Sequence, residues 1–492
     1  MKYINQIICD ILVSEKKITW LAMLFISLCV LLQYVLNVGH INRDGILYIF
    51  QAQAIIEGNV TLAHEMHSSI ILAQCIASLY QILNIPHATA AHLIGFVFFM
   101  ISSFFFLKTL ALISKDKRLL ICGSIVILTS LAIDKYVVMI LRDHALWAGL
   151  MMATYFSIKF LDYPKWSYLL LSALSITVAA LFRVEALSLI PIIFGFMLWK
   201  LYRESYFMPF KYAVTTIVIL MILGLIYFFG LNGASFPASR FDQVWHLLTQ
   251  AILNVFQPLP VTTGDRWLSG LLKDYPMLLK MGFFVFLITY KWLSAVGLIF
   301  LVLFLIGIKS KKIKLSTSVR YFLYSVGSMT LVWPVMNLFS VNVLTSRYLV
   351  PHLWMVMFFV ALGLDQVFFG FKDNAIKFKK FFQLFIVLAL LLKFIDVMVD
   401  QRKPSLDQRI AQWALENQIL QEESFVTNLR IRYYMNWLPL PTQTLAKAIQ
   451  DKNIKYLILN DKLSQQNATS FDIIDPFTDM NISRKLYIYH RK

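Results

Sequence analysis

The sequence predicts a mainly α, polytopic membrane helical bundle of about eleven transmembrane helices, with amphipathic extracytoplasmic loop helices and a small C-terminal α/β domain. Three observations predict it. Hydrophobic residues make up 59% of the 492 and charged residues only 15%, where a soluble chain would sit nearer half and a quarter. Apolar runs of about 20 residues, enough to cross a hydrocarbon core of about 30 Å, recur from position 18 to position 399. After Asp400 those runs stop, and short helix and strand signals alternate instead. The chain divides accordingly into a transmembrane domain, 1–400, and an extracytoplasmic soluble α/β domain, 401–492.

Taken in order, the spans fall near 18–38, 89–113, 119–138, 144–161, 166–182, 186–201, 210–230, 288–308, 320–340, 347–369 and 382–399. Arg183 and Glu185 cut the pair at 166–182 and 186–201 out of one long apolar run. The first span is longer than a signal-peptide core and no small-residue cleavage site follows it, so it reads as an uncleaved anchor. The formal charge of +18 comes largely from short loops: Lys115, Lys117 and Arg118; Lys200, Arg203 and Lys211; Lys309 to Arg320; and Lys372 to Lys380. These clusters recur between pairs of spans, which is the positive-inside pattern of cytoplasmic loops, so no nucleic-acid partner is implied. With the N-terminus in the cytoplasm, every cluster falls on the cytoplasmic side. The expected location is a bacterial inner membrane, crossed many times, with residues 401–492 outside the cytoplasm.

Two long segments reach the opposite face, 39–88 and 231–287. Residues 46–57 carry apolar side chains at helical spacing, with Gln51, Gln53 and Glu57 between them, and Gly58-Asn59 supplies a stop. They read as a helix lying on the membrane surface. Residues 68–83 form either a second such helix or a further span, ended by Pro86. In the C-terminal part, 405–420 and 442–452 read as helices, and 424–427, 454–459 and 485–490 as strands. The cysteines Cys9, Cys29, Cys75 and Cys122 form no CxxC pair and define no disulfide framework.

Ionisable residues at membrane depth are costly and mark candidate functional sites. Four such places stand out, all on the expected extracytoplasmic face. They are Arg43-Asp44 after the first span, Arg142-Asp143-His144 before the fourth, Arg183 with Glu185, and Arg347-Tyr348 opening the tenth. Any one alone is ordinarily an interfacial ion pair or a helix cap. Four on one face argue for a site.

The order of these residues resembles the GT-C glycosyltransferases, and more narrowly the branch with the protein O-mannosyltransferases and the aminoarabinose transferase of lipid A. The resemblance covers roughly 18–400 and rests on topology more than on strings. Arg347-Tyr348-Leu349-Val350-Pro351 is similar to a recurring late segment of that family, and Gly45 to Gly58, with Tyr48 and Ala52, to its first loop helix. The resemblance implies a polyprenyl-phosphate-linked sugar donor, a membrane-associated acceptor, and the lipid bilayer as partner. Asp44 resembles the family's catalytic aspartate and would take the acceptor's proton. Arg183 and Arg347 would hold the lipid phosphate, with Arg43, Arg142 and Tyr348 as further members of that set. Asp143 is the second catalytic candidate, orienting the acceptor or holding an arginine.

The chain also departs from the family. Gly45 stands beside Asp44 where a metal-using member would carry a second acid, and the early Lys-Pro-Pro motif is replaced by His64-Glu65-Met66-His67-Ser68-Ser69. That run is one residue short of the HExxH zinc motif. No metal site is therefore assigned and no cofactor is named; a divalent metal is compatible with the family and not indicated here. Two other classes remain open. A transporter or flippase of lipid-linked sugars would carry repeats and charges near the midplane. A surface polysaccharide polymerase or ligase would use large loops rich in arginine and histidine, and 231–287 holds Arg240, His246 and Arg266.

Overall fold

The computed structural model describes most of residues 14–203, 276–399 and 406–491, and within 204–275 only Thr249 and Leu253. The expected span at 210–230 and most of the segment 231–287 lie outside the described residues. The chain forms two compact units, Met1–Leu36 with His92–Asp400, and Asn37–Ala91 with Gln401–Lys492.

The first unit is helical. Its helices are α1 (Glu15–Leu36) and, after α2 (Arg43–Ile56), α3 (Val60–Met66) and α4 (Ile71–Leu83) of the second unit, α5 (His87–Ile113), α6 (Lys117–Leu128), α7 (Asp143–Asp162), α8 (Trp166–Phe182) and α9 (Ile190–Arg203). Further on come α10 (Pro276–Val296), α11 (Leu298–Lys309), α12 (Thr317–Val341), α13 (Val350–Phe369) and α14 (Ile376–Val399). Among the described residues five helices are long and apolar enough to cross a membrane: Glu15–Leu36, His87–Ile113, Val184–Arg203, Thr317–Phe339 and Ser346–Phe369. The pair Lys280–Val296 and Leu298–Lys309 makes a sixth if it counts as one span.

That pair contains the difference from the expected span at 288–308, for its two helices meet at 91°. The break falls on Gly297 at φ +76°, where the Lys393 Nζ lies 2.9 Å from the place a Cβ would occupy. Glycine adopts that φ without strain, whereas the flexible tip of Lys393 can move aside. Similarly, within the expected span 119–138 residues 135–137 are helical, but α6 ends at Leu128. There the Thr129 hydroxyl donates to the Ile125 carbonyl at 2.7 Å, a local bond that competes with the helix ladder.

Helix α13 is the centre of this unit, almost wholly buried. Gly307 on α11 and Gly363 on α13 let the two backbones touch: a Cβ on the first would strike the Phe359 carbonyl, and on the second the Leu303 carbonyl. Close approach through small residues substitutes for a hydrophobic driving force between helices in lipid. Phe106 stacks on Phe358 at 4.5 Å between centroids. In the α7–α8 hairpin, the Ser157 and Ser172 hydroxyls lie 3.0 Å apart. Buried hydroxyls such as Ser102, Thr109 and Thr154 donate to carbonyls one turn back, so no polar group faces apolar surroundings unpaired at those places.

The second unit joins three loop helices to the C-terminal segment. The loop helices are α2 (Arg43–Ile56), α3 (Val60–Met66) and α4 (Ile71–Leu83). Helix α4 has 13 residues, about 20 Å at 1.5 Å per residue, which is short of a hydrocarbon core. The C-terminal segment has α15 (Leu406–Glu416), β1 (Ser424–Val426), α16 (Leu429–Tyr434), α17 (Leu445–Gln450), β2 (Tyr456–Leu459), β3 (Phe471–Ile474) and β4 (Tyr487–Arg491). The strand order is β1-β2-β4-β3, with β1 parallel to β2 and the other pairs antiparallel. Both sheet faces are covered. Val426, Ile458 and Ile488 pack with Ile410, Ala414 and Ile431 on one, and Phe425, Leu457 and Tyr489 with Ala448 and Ile454 on the other. The apolar side of α2, including Ile46, Ile49 and Phe50, is buried. Phe50 meets Tyr433 of α16 edge-on at 5.8 Å.

Candidate functional site

Three chain breaks deliver charged residues to one place in the first unit. Helix α8 ends because Arg183 leaves the helical backbone at φ −141°, ψ 107°, while its N–H still donates to the Ala179 carbonyl. A 3-10 turn, Val184–Leu189, follows and carries Glu185. Helix α7 opens on Asp143, directly after Arg142. A second 3-10 turn, Ser346–Leu349, carries Arg347 and Tyr348 into α13.

Arg183 is the hub. Its Nε lies 3.6 Å from Asp143 Oδ1 and its Nη2 lies 2.9 Å from Glu185 Oε1. The Tyr348 ring centroid is 5.3 Å from the Arg183 guanidinium carbon and equally 5.3 Å from that of Arg347. Arg347, Arg142 and His144 also act electrostatically on Asp143. Asp143 is 3% exposed and Arg183 7%, so each has lost its water and depends on the other. Removing one partner of such a pair costs about 3–5 kcal/mol. Arg142, Arg183 and Arg347 stand together around Asp143 here, and such a group suits an anion. Planar guanidinium forks match phosphate and carboxylate oxygens.

Sequence reasoning gave no signal for the support beneath Glu185. The Trp333 indole of α12 donates to the Ser188 hydroxyl at 2.7 Å, and Ser188 donates in turn to the Glu185 carbonyl at 2.7 Å. The turn is thereby fixed from a helix far away in sequence. His144 is fully buried; its Nε2 lies 3.1 Å from the Tyr136 carbonyl and its ring meets Trp147 edge-on at 4.8 Å. It anchors the start of α7. A cleft of about 580 Å³ is lined by Pro191, Phe196 and Trp199 of α9 and Tyr321 of α12.

Arg43 and Asp44 belong to the second unit. Both lie in the first turn of α2, Arg43 exposed and Asp44 half-buried, and the Asn42 carbonyl accepts the Ile46 N–H at 3.1 Å. An acid in the first turn complements the helix dipole. Gln51, one face further along, donates to the carbonyls of Ala63 and His67 at 2.7 and 2.8 Å and so closes the loop behind α2. The His64–His67 run forms the end of α3. His67 Nδ1 accepts the Ser69 N–H at 2.9 Å, and its ring meets Tyr48 edge-on. Among the described residues no group of three or more His, Cys, Asp or Glu is gathered as a metal site. Burial, with Tyr434 beside it, pushes the Tyr433 phenol up to about 12.

No family model matches the chain, and no curated protein matches it. Among solved structures, ArnT from Cupriavidus metallidurans in the apo state is similar at TM-score 0.52 and 12% identity, covering 95% of this chain and 97% of that one. An oligosaccharyltransferase of Archaeoglobus fulgidus, in complex with zinc and sulfate, is similar at TM-score 0.49 and 11% identity, over 89% of this chain and 67% of that one. The archaeal oligosaccharyltransferase AglB from Archaeoglobus fulgidus, in complex with an inhibitory peptide and a dolichol-phosphate, is similar at TM-score 0.42 and 10% identity, over 89% of this chain and 69% of that one. The chain shares the fold of the ArnT structure, and its long apolar helices mark it as an integral membrane protein.

Proposed function

We propose that the chain is a glycosyltransferase that moves a sugar from a polyprenyl-phosphate donor to an extracytoplasmic acceptor, which is a lipid, a glycan or a protein. The observation that carries the reading is the gathering of Arg142, Arg183 and Arg347 around Asp143, at the ends of apolar helices. The GT-C fold supports it. In this reading the bundle has about eleven spans, the N-terminus is cytoplasmic, and the membrane is a bacterial inner membrane.

The chemistry balances without a further reactant. Asp44 takes the proton of an acceptor hydroxyl as the acceptor oxygen bonds to the anomeric carbon of the sugar. The bond from that carbon to the phosphate oxygen breaks, and its electron pair leaves with the polyprenyl phosphate. Arg183 and Arg347, with Arg142 and Arg43, meet the charge that develops on that phosphate. Tyr348 spaces the first two, and Asp143 holds Arg183 in aim. The cleft beside Phe196, Trp199 and Tyr321 is apolar and of a size to take several isoprene units of the lipid.

The test is transfer of labelled sugar from a polyprenyl-phosphate donor in proteoliposomes. Asp44→Asn is expected to insert normally and to lose at least about a hundredfold in rate, the lower end for a general base. Full transfer by that variant removes Asp44 from the mechanism. Movement of the labelled lipid across the vesicle with no glycosidic bond formed would overturn the transferase reading in favour of transport.

A further inference from the structure

We propose that Tyr434 is a positioning residue for Asp44, and that α16 of the C-terminal segment exists in part to hold the start of α2. The inference rests on the function proposed above, in which Asp44 is the base.

Helix α16 is fastened on every side but one. Asn428 caps it, its Oδ1 accepting the N–H groups of Arg430 and Ile431 at 2.9 and 3.4 Å. The Asn428 amide donates to Asp407 Oδ1 at 3.1 Å, and Arg430 pairs with Asp407 Oδ2 at 3.0 Å. Ile431 and Met435 are buried in the core beside the sheet. Two tyrosines, Tyr433 and Tyr434, remain at its end, and both reach the first loop.

The Tyr434 hydroxyl makes two bonds to one residue. It accepts the Ile41 N–H at 3.2 Å and lies 3.4 Å from the Ile41 carbonyl, to which it donates. A phenol can do both at once, and no apolar ring can do either. Ile41 is buried at 4% exposure and precedes Asn42, whose carbonyl accepts the first bond of α2. Asp44 follows three residues after Ile41. The Phe50–Tyr433 contact fixes the same helix two turns on. The direction and depth at which α2 begins are thus set by a residue almost four hundred positions away (|i−j| = 393). A displacement of about 1 Å in a catalytic group is worth on the order of a hundredfold in rate, so such a clamp has a kinetic consequence.

The experiment uses the full chain in lipid nanodiscs and the variant Tyr434→Phe, which keeps the ring and removes only the hydroxyl. Hydrogen exchange at the Ile41 amide is expected to speed up by at least about tenfold, since its one described acceptor is gone. With the donor as substrate, kcat is expected to fall about tenfold with KM unchanged, and the acid limb of the pH–rate profile to move. In an Asp44→Glu background the same change is expected to add no further loss, because the two residues act through one another. Unaltered exchange at Ile41, or losses that multiply fully in the double variant with an unmoved pH profile, would overturn the proposal. Should Asp44→Asn keep full transfer, the functional reading fails, while the exchange measurement still reports whether Tyr434 holds Ile41.

Discussion

Asp407 and Arg430 meet at 3.0 Å with Asn428 as a second donor to the carboxylate, whereas Asp143 and Arg183 approach only to 3.6 Å. Both join an arginine to a buried aspartate. In the first the carboxylate is closed: Oδ2 takes Arg430 and Oδ1 the amide of Asn428, the cap of α16. The second is open, since Arg183 also pairs with Glu185, shares the Tyr348 ring with Arg347, and stands with Arg142 around one carboxylate. A closed pair serves the fold. The open one gathers three arginines at a desolvated carboxylate, the chemistry that the proposed phosphate-binding role requires.

The largest effect should come from replacing each pair by apolar residues of similar size. Asp143→Leu with Arg183→Met is expected to abolish sugar transfer, whereas Asp407→Leu with Arg430→Met should leave it within a few-fold. Unfolding of both double variants in detergent should shift little, within about 1–4 kcal/mol and in the stabilising direction if at all. Equal loss of transfer from the two exchanges would erase the distinction between them.

Arg183→Lys comes next. It retains the charge and loses the fork, so donor KM should rise about tenfold with a modest change in thermal midpoint. Tyr348→Ala should follow, with donor affinity lower by about fivefold, the value of roughly 1 kcal/mol for a cation–π contact; Tyr348→Phe should behave as the parent. Glu185→Gln should give the smallest effect and the opposite sign. Glu185 is a third exposed, and an ion pair of that kind is worth less than about 1 kcal/mol. Freeing Arg183 from it should tighten donor binding by about twofold to threefold, read as a lower KM. Weaker binding in that variant would mean that Glu185 holds Arg183 in place and does not compete with the donor.

Part of the candidate site was legible because charge inside an apolar run is conspicuous. Arg183 and Glu185 interrupt a run that would otherwise be one helix, and the structure puts a helix end and a 3-10 turn there. Arg347-Tyr348 was visible in the same way. The support was not. Trp333 and Ser188 look like ordinary residues of apolar segments, and their bond joins positions 145 apart in sequence. Tyr434 looks like a surface tyrosine of a short helix, α16, for which the periodicity gave no sign. The expected surface helix at 46–57 also found its apolar side buried, with Phe50 against Tyr433 of the C-terminal segment.

Residue order alone decided the class of the molecule: an apolar content of 59% and repeated runs of membrane length need no partner to be read, because transfer of each segment into lipid is nearly a sum over its own residues. It also marked the helix stop at Arg183, a charge inside an apolar run, but not the break at Gly297 within the expected span 288–308. Tertiary structure decided which stops meet. Asp143 and Arg183 share one cluster because Gly149 lets α7 and α8 pack at backbone contact, and α13, held against α11 through Gly307 and Gly363, brings Arg347 to it. The start of α2 is held by Tyr434 because α16 is packed against its own sheet. Both depend on distances between segments remote along the chain, and no sum over neighbours contains them.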